Sequence, residues 1–292
     1  MSIILLINYF TWQSNYDGYL ALIIKIVSVM LLSNNINYKK FAKYFVLFFS
    51  IYSVISLICY FKLLLTPNYI NQIEIRDVWG TLLRPTLLYT YPEKAFYRNF
   101  GFYSEGGMYA IFLNIALFFS YHLEKKPYII LSRIIIILTI ISTLSTTGVI
   151  ISFLIIILKF LDLKKVNIKN ILFSILTISI LFVFQLNLNI VSNKLNANNE
   201  SYTARLSEVS ITKEILVDNT LLGIGYQNNN AIKHYSSLEN LTNGILTTYI
   251  YFGIIFGSII IIIYLLGVLT NDKIKKLDKV ILISIYILGA IS

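Results

Sequence analysis

The sequence predicts an all-α polytopic integral membrane protein, and three observations carry that expectation. Of 292 residues, 57% are hydrophobic and 13% are charged, about half the charged fraction of a soluble domain, and mean hydropathy is +0.74. Apolar runs close to the ~20 residues needed to cross a bilayer recur along the chain. Lysines gather in alternate loops between those runs. The composition excludes a soluble globule, a disordered chain and a fibrous repeat. The single cysteine, Cys59, excludes a disulfide scaffold.

Taken in order, the expected spans cover roughly 18–33, 43–65, 102–121, 128–144, 147–161, 170–188, 243–269 and 279–292, about eight in all. The opening stretch, Met1 to Phe10, is too short to cross. It has no basic flank and no small-residue cleavage site, and it reads as a partial helix. The last run stops at Ser292 after about 14 residues, which raises the expectation of further helices beyond it. The whole reads as a single transmembrane domain, 1–292, with external loops at 66–101 and 189–242.

Orientation follows from the positive charges in short loops. Lys39, Lys40 and Lys43 lie in the first such loop, and Lys125 and Lys126 in the second. Lys159, Lys164, Lys165 and Lys169 follow, then Lys273, Lys275, Lys276 and Lys279. That side is expected to be cytoplasmic. The segments that alternate with these loops, two of them long, then face outward. The chain has five arginines, and all but Arg133 fall in the outward segments. Arginine scarcity in an Ile/Asn/Lys-rich chain is one account of that. Guanidinium placed for bidentate recognition of phosphate is the other.

Loops of more than about 15 residues in a compact protein are usually functional or disordered. Within 189–242, the segment 202–217 places Tyr202, Leu206, Val209 and Leu216 near helical spacing and predicts an amphipathic surface helix. A glycine turn, Leu222-Gly223-Ile224-Gly225-Tyr226, follows it, and asparagine-rich stretches flank the whole. This is the pattern of a docking element or lid between hinges. In the other long loop Arg98, a glycine turn and Glu105 stand at the mouth of a span. An acid at membrane depth is costly and suggests a functional site. A partner for Arg98, or an interfacial side chain that stays wet, would also account for Glu105. Lys62 within an apolar run is expected to snorkel, and Lys25 is left open. His122, at the inner end of a span, is expected to be a membrane-interface residue. Phosphate-loop, zincin, nucleophile-elbow and C-x-x-C motifs are absent from the sequence. With one cysteine and two histidines, His122 and His234, no protein metal cage is expected.

At this point the residues resemble a family. Arg98-Asn99-Phe100-Gly101-Phe102-Tyr103-Ser104-Glu105-Gly106-Gly107 resembles the arginine–glycine–carboxylate segment of bacterial O-antigen polymerases and ligases. Ser145-Thr146-Thr147-Gly148 resembles that superfamily's short polar turn into the next helix. Tyr202-Thr203-Ala204-Arg205-Leu206-Ser207-Glu208, with Asn219 to Asn228 after it, resembles its external arginine and Gly-x-Gly segment. The stretch from Asn243 to Gly257 is similar to its following glycine-containing helix. These segments occur in the family's order over about 98–260. The departures are specific. The ligases' histidine before Asn243 is Thr242 here, which points to the polymerase branch. The proline after the carboxylate is Gly106, and the aromatic after Arg205 is missing.

The resemblance implies a GT-C-like multi-helix bundle in the bacterial cytoplasmic (inner) membrane. It implies a metal-independent, cofactor-free and inverting polysaccharide polymerase, which moves a growing glycan from undecaprenyl pyrophosphate to the next lipid-linked repeat unit. The product would be O-antigen, capsule or exopolysaccharide. The expected partners are the undecaprenyl-pyrophosphate-linked oligosaccharide, the lipid bilayer, a chain-length regulator and a flippase; nucleic acid is not expected. A departing diphosphate needs positive charge, for which Arg98 and Arg205 are the first candidates and Arg84 and Arg76 the second. The acceptor hydroxyl needs a base; Glu105 is the first candidate, with Glu208 or His234 behind it. Tyr103 and Tyr226, with Tyr97 and Tyr202, are candidates for stacking on sugar, and Asn243 for substrate binding. Alternative expectations are a ligase-like glycan transferase and a lipid-linked sugar transporter or flippase.

Overall fold

The computed structural model describes residues 16–65, 75–76, 82–85, 88–92, 98–161, 200–235, 243–272 and 274–291. The expected span at 170–188, the opening stretch, Tyr97 and Thr242 lie outside the described residues. Among those described, the helices are α1 (Tyr16–Asn35), α2 (Tyr38–Leu65), α3 (Gly106–Ser120), α4 (Pro127–Ser142), α5 (Thr146–Leu161), α6 (Glu200–Asp218), α7 (Asn229–Tyr235), α8 (Gly244–Leu269) and α9 (Lys276–Ile291). Three strands, β1 (Ile75–Arg76), β2 (Leu82–Pro85) and β3 (Thr90–Pro92), form an antiparallel sheet in that order. The sheet occupies a segment that the sequence reads as loop. Strands of two to four residues are too short to show a two-residue periodicity. Two helices, α2 and α8, are long and apolar enough to cross a membrane. By contacts the chain divides into two compact units, where the sequence reads one domain.

One unit contains α2, the sheet, α3, α4, α5 and α9. Its centre is α3, where Tyr109, Ala110, Leu113, Asn114, Ala116 and Leu117 are all buried. Helix α2 runs antiparallel to α3: Ser56 bonds Tyr109, Phe49 stacks on Phe112, and Phe41 meets Phe119. The face that α2 turns inward mixes Val46, Phe49, Tyr52 and Leu63 with Ala42, Ser50, Ser53 and Ser56, while Phe48, Ile51, Ile58 and Leu65 are exposed. A soluble helix carries polar residues on its exposed side, and this one is apolar there as well. Helix α4 begins at Pro127, whose ring suits a first helical position. A tight turn through Leu144 (φ 49°) and Ser145 connects it to α5. Helices α3 and α5 run parallel and close together. Asn114 Nδ2 reaches the Gly148 carbonyl at 2.9 Å, and a Cβ on Gly148 would press into the Ala110 methyl. Small residues thus set the helix spacing. Helix α9 contributes Ile281 and Ile285 to the same core.

The other unit contains α1, α6, α7 and α8. A helix over 202–217 is expected and α6 is there, but its inward face differs. Glu208, Ile211, Thr212 and Ile215 are buried, while Leu206, Val209 and Val217 are exposed on the opposite side. Helical spacing alone did not choose between two apolar stripes, and packing on α8 through Ile250 selected the one that contains an acid. Helix α8 is interrupted at Gly253 (φ 72°, ψ 176°). The backbone groups freed there are taken up by the glycine turn. Ile224 N–H donates to Ile250 O at 2.9 Å, Gly225 N–H to Tyr251 O at 3.2 Å, and Ile254 N–H to Thr220 O at 2.8 Å. Gly223 (φ 64°) lies against this break, and a Cβ on either glycine would collide with the other segment's backbone. The Gly-x-Gly motif is therefore a splice for a broken helix.

Candidate functional site: the Arg98 loop over two helix N-termini

The loop 98–105 crosses one end of the bundle. It is anchored by Asn99, which is fully buried. Asn99 donates from Nδ2 to Ser142 Oγ at 2.9 Å and accepts at Oδ1 from Gly101 N–H at 3.0 Å. Its own N–H donates to Ser142 O at 2.9 Å. Gly101 (φ 58°) turns the chain under the rings of Tyr109 and Tyr52, where a Cβ would lie 2.9 Å from Tyr109. A buried amide fully engaged in this way fixes its neighbours.

Arg98, next to Asn99, is half-buried. Its Nε donates to the carbonyl of Thr143, the C-cap of α4, at 3.2 Å. Its guanidinium carbon lies 5.8 Å from the centre of the Phe100 ring. A Cβ on Gly106 would stand 3.1 Å from Thr143 O, 3.2 Å from Asn99 O and 3.6 Å from Arg98 Nη2. The guanidinium therefore sits beside the first residue of α3 and beside the turn that starts α5. The first amides of a helix lack intrahelical partners and carry partial positive charge. At α5, Ser145 Oγ accepts from Gly148 N–H at 3.1 Å and caps part of that end. At α3, the N-cap residue Glu105 has extended backbone (φ −145°, ψ 139°) and makes no side-chain capping bond. One guanidinium, two parallel helix N-termini and one carboxylate thus occupy the same end of the bundle. Helix N-termini and a guanidinium are groups suited to hold an anion, while Glu105 and the α4 carbonyl that Arg98 caps carry the opposite sign.

The remaining expected residues distribute as follows. Tyr103 belongs to the same loop, half-buried, its ring stacked 4.4 Å from Phe102 and 5.0 Å from Phe112. Arg76 and Arg84 lie on β1 and β2 of the sheet, in register with Leu82 and Tyr91 rather than with each other. In the other unit Arg205 lies on the first half of α6. Glu208, expected as a base or substrate contact, is fully buried. Its Oε2 accepts from Asn243 N–H at 3.2 Å. Asn243, expected to bind substrate, caps α8: its Oδ1 accepts from Ile245 and Leu246 N–H, both at 3.1 Å. Each of these two residues positions a helix start. Tyr226 is packed among Tyr19, Tyr251 and Phe252, and its N–H donates to the Tyr19 hydroxyl at 2.8 Å. Burial pushes its own hydroxyl above the usual tyrosine range, so it stays protonated. His234 is exposed on α7. On that helix Tyr235 donates to Asp218 Oδ2 at 3.0 Å.

One constellation escapes the sequence reading. Lys159 forms an ion pair with Asp278, and His122 lies 3.2 Å from Lys159 Nζ. His122 is expected as a membrane-interface residue. It also takes part in a charged cluster in which Lys159 and Asp278 come from helices more than a hundred residues apart in the chain. The available signal is Asp278, one of two acids, with Asp272, in a lysine-rich loop. Comparison with protein-family models, with curated proteins and with solved structures yields no match to this chain.

Proposed function

We propose that this chain is a polytopic membrane glycosyltransferase of the polysaccharide-polymerase type, acting on undecaprenyl-pyrophosphate-linked glycan at the outer face of a bacterial cytoplasmic membrane. The observation that carries the reading is the Arg98 guanidinium held beside the start of α3 and the α4–α5 turn. A diphosphate is the leaving group whose charge such an end stabilises. The membrane part rests on two long apolar helices and on the apolar exposed side of α2, which includes Phe48, Ile51, Ile58 and Leu65. A soluble protein does not present an apolar surface of this extent to water.

In the reaction the bond from the anomeric carbon to the pyrophosphate oxygen breaks, and that oxygen keeps the electron pair. A bond forms from the same carbon to the acceptor hydroxyl oxygen, and the hydroxyl proton passes to a base. Arg98 neutralises the departing diphosphate without a metal, and Glu105, seven residues on in the same loop, takes the proton. Attack opposite the leaving group inverts the anomeric carbon. Arg205 is the second cationic candidate. A transporter would use a broken helix to expose backbone groups to its cargo. In α8 the carbonyls of Ile250 and Tyr251 and the amide of Ile254 are already bonded within the protein. The interruption therefore gives the transporter reading no support.

The test is complementation of a deletion in the native host, read as a ladder of polymerised glycan. Arg98→Ala, expressed at wild-type level, is expected to leave only the single repeat unit, and Arg98→Lys to give a shortened, weaker ladder. A full ladder from Arg98→Ala removes the proposed role.

A further inference from the structure

At the end of the bundle opposite Arg98, three titratable side chains from three elements of the same unit meet. Lys159 lies in the last turn of α5, Asp278 in the first turn of α9, and His122 just beyond the end of α3. Each of the two charges complements the dipole of its own helix. Lys159 Nζ pairs with Asp278 Oδ1 and stands 3.2 Å from His122 Nε2, and that nitrogen is 3.5 Å from Asp278 Oδ2. The Lys159 and Asp278 side chains are 8% and 4% exposed, and His122 is 27% exposed. The Phe118 ring covers them, 5.2 Å from the ammonium and 4.8 Å from the imidazole.

Among the described residues the neighbouring charged and titratable groups are few. Tyr38 of α2 feels the Asp278 charge. Arg133 of α4 is engaged with the Ser120 carbonyl at 2.6 Å and with the Tyr121 ring at 4.3 Å. Glu124 of the α3–α4 turn pairs with Lys126 at 3.1 Å. Lys275, Lys276 and Lys279 flank Asp278 in the chain.

An ammonium has donors only. Towards Lys159, therefore, His122 can offer only a bare Nε2, which is the neutral imidazole. A proton on Nε2 sets two donors against each other and turns the imidazolium towards Asp278 Oδ2. Two cations then share one buried carboxylate, and the cluster gains a net charge in a site poor in water. The tie from α5 to α9 is the contact that this competition weakens.

We propose that His122 is a proton-binding site that controls the attachment of α9 to the bundle: the neutral imidazole keeps the Lys159–Asp278 tie closed, and protonation loosens it. The exposed edge of His122 lets the proton reach the cluster without prior opening. The stabilisation is present above the histidine range and is lost as pH falls through it. In the topology proposed above this end faces the cytoplasm, so acidification of that compartment loosens α9. The inference does not depend on the glycan-transfer reading.

The experiment is hydrogen exchange on the full chain in lipid nanodiscs at pH 8 and pH 5.5, corrected for intrinsic exchange. It compares α9 amides with α4 amides as an internal reference. In the wild type, α9 protection is expected to fall about tenfold at the lower pH while α4 holds. His122→Gln keeps an acceptor but binds no proton, and its α9 protection is expected to be equal at both values. Lys159→Met is expected to lower α9 protection at pH 8 and to remove the loosening at pH 5.5, where the imidazolium is left as the partner of Asp278. On the wild-type chain, the imidazole titration of His122 by NMR, assigned with His234→Gln, is expected to share its midpoint with the loosening of α9. A wild-type α9 that responds no more than α4 overturns the proposal. So does a wild-type response in His122→Gln or Lys159→Met, or a His122 midpoint that does not coincide with the loosening.

Discussion

Three residues show how little of a side chain's role its position in a motif decides. Arg98, Glu208 and Asn243 all fall on segments that resemble one superfamily. The structure makes Arg98 a half-buried guanidinium at the end of a bundle, tied by one donor to the end of α4. It makes Glu208 a buried acceptor for the Asn243 amide, and Asn243 the cap of α8. A reading from residue type makes Arg98 a catalytic cation and Glu208 and Asn243 substrate contacts, because capping and burial depend on a partner distant in sequence: 35 residues separate Glu208 from Asn243. The consequence is measurable. Asn243→Ala removes an acceptor that serves two amides and is expected to cost about 1 kcal/mol, with Asn243→Asp close to wild type. Thermal unfolding in detergent reads this difference.

At the level of elements, long apolar runs are legible and short or polar elements are not. Helices α2, α4, α5 and α8 begin and end within a few residues of the runs that the sequence predicts, since composition alone marks them. The strands Ile75–Arg76, Leu82–Pro85 and Thr90–Pro92 leave no periodic trace at such lengths. Helix α6 is legible as a helix, but its inward face is not. Leu206 and Val209 are outside and Glu208 is inside, because the buried acid has a backbone partner that only the fold supplies. The break in α8 has a sequence signal, the glycines of 223–225 and Gly253, but their pairing is a tertiary fact. Gly253→Ala places a Cβ against the Leu221 carbonyl at a positive φ. It is expected to cost at least about 3 kcal/mol. The same exchange at Gly267, where nothing lies near the added carbon, is expected to be neutral or mildly stabilising. Yield of folded protein after detergent extraction distinguishes the two.

For the larger unit as a whole, the organising feature is polarity along the helix axes. The N-termini of α3 and α5 open beside Arg98 and Glu105 at one end. Their C-terminal ends lie by Lys159 and His122 at the other, closed by Asp278 of α9. Helix α3 has 15 residues, so about 22 Å separates the two sets of charges. The arginine end is legible in the sequence, because arginine is scarce here and four of the five fall in the segments expected to face outward. The lysine end is hidden by the rule that reads lysine-rich loops as inner ones: Lys159 counts there as one more loop lysine, although it is buried.

The central claim, that the Arg98 end holds the diphosphate of a lipid-linked glycan, is tested most directly by ligand titration on the purified full chain in nanodiscs. Undecaprenyl pyrophosphate is expected to bind the wild type at least about tenfold more tightly than Arg98→Ala, with undecaprenol failing to distinguish the two proteins. Equal affinity of wild type and Arg98→Ala for undecaprenyl pyrophosphate, or equal binding of the phosphate-free alcohol, would contradict it.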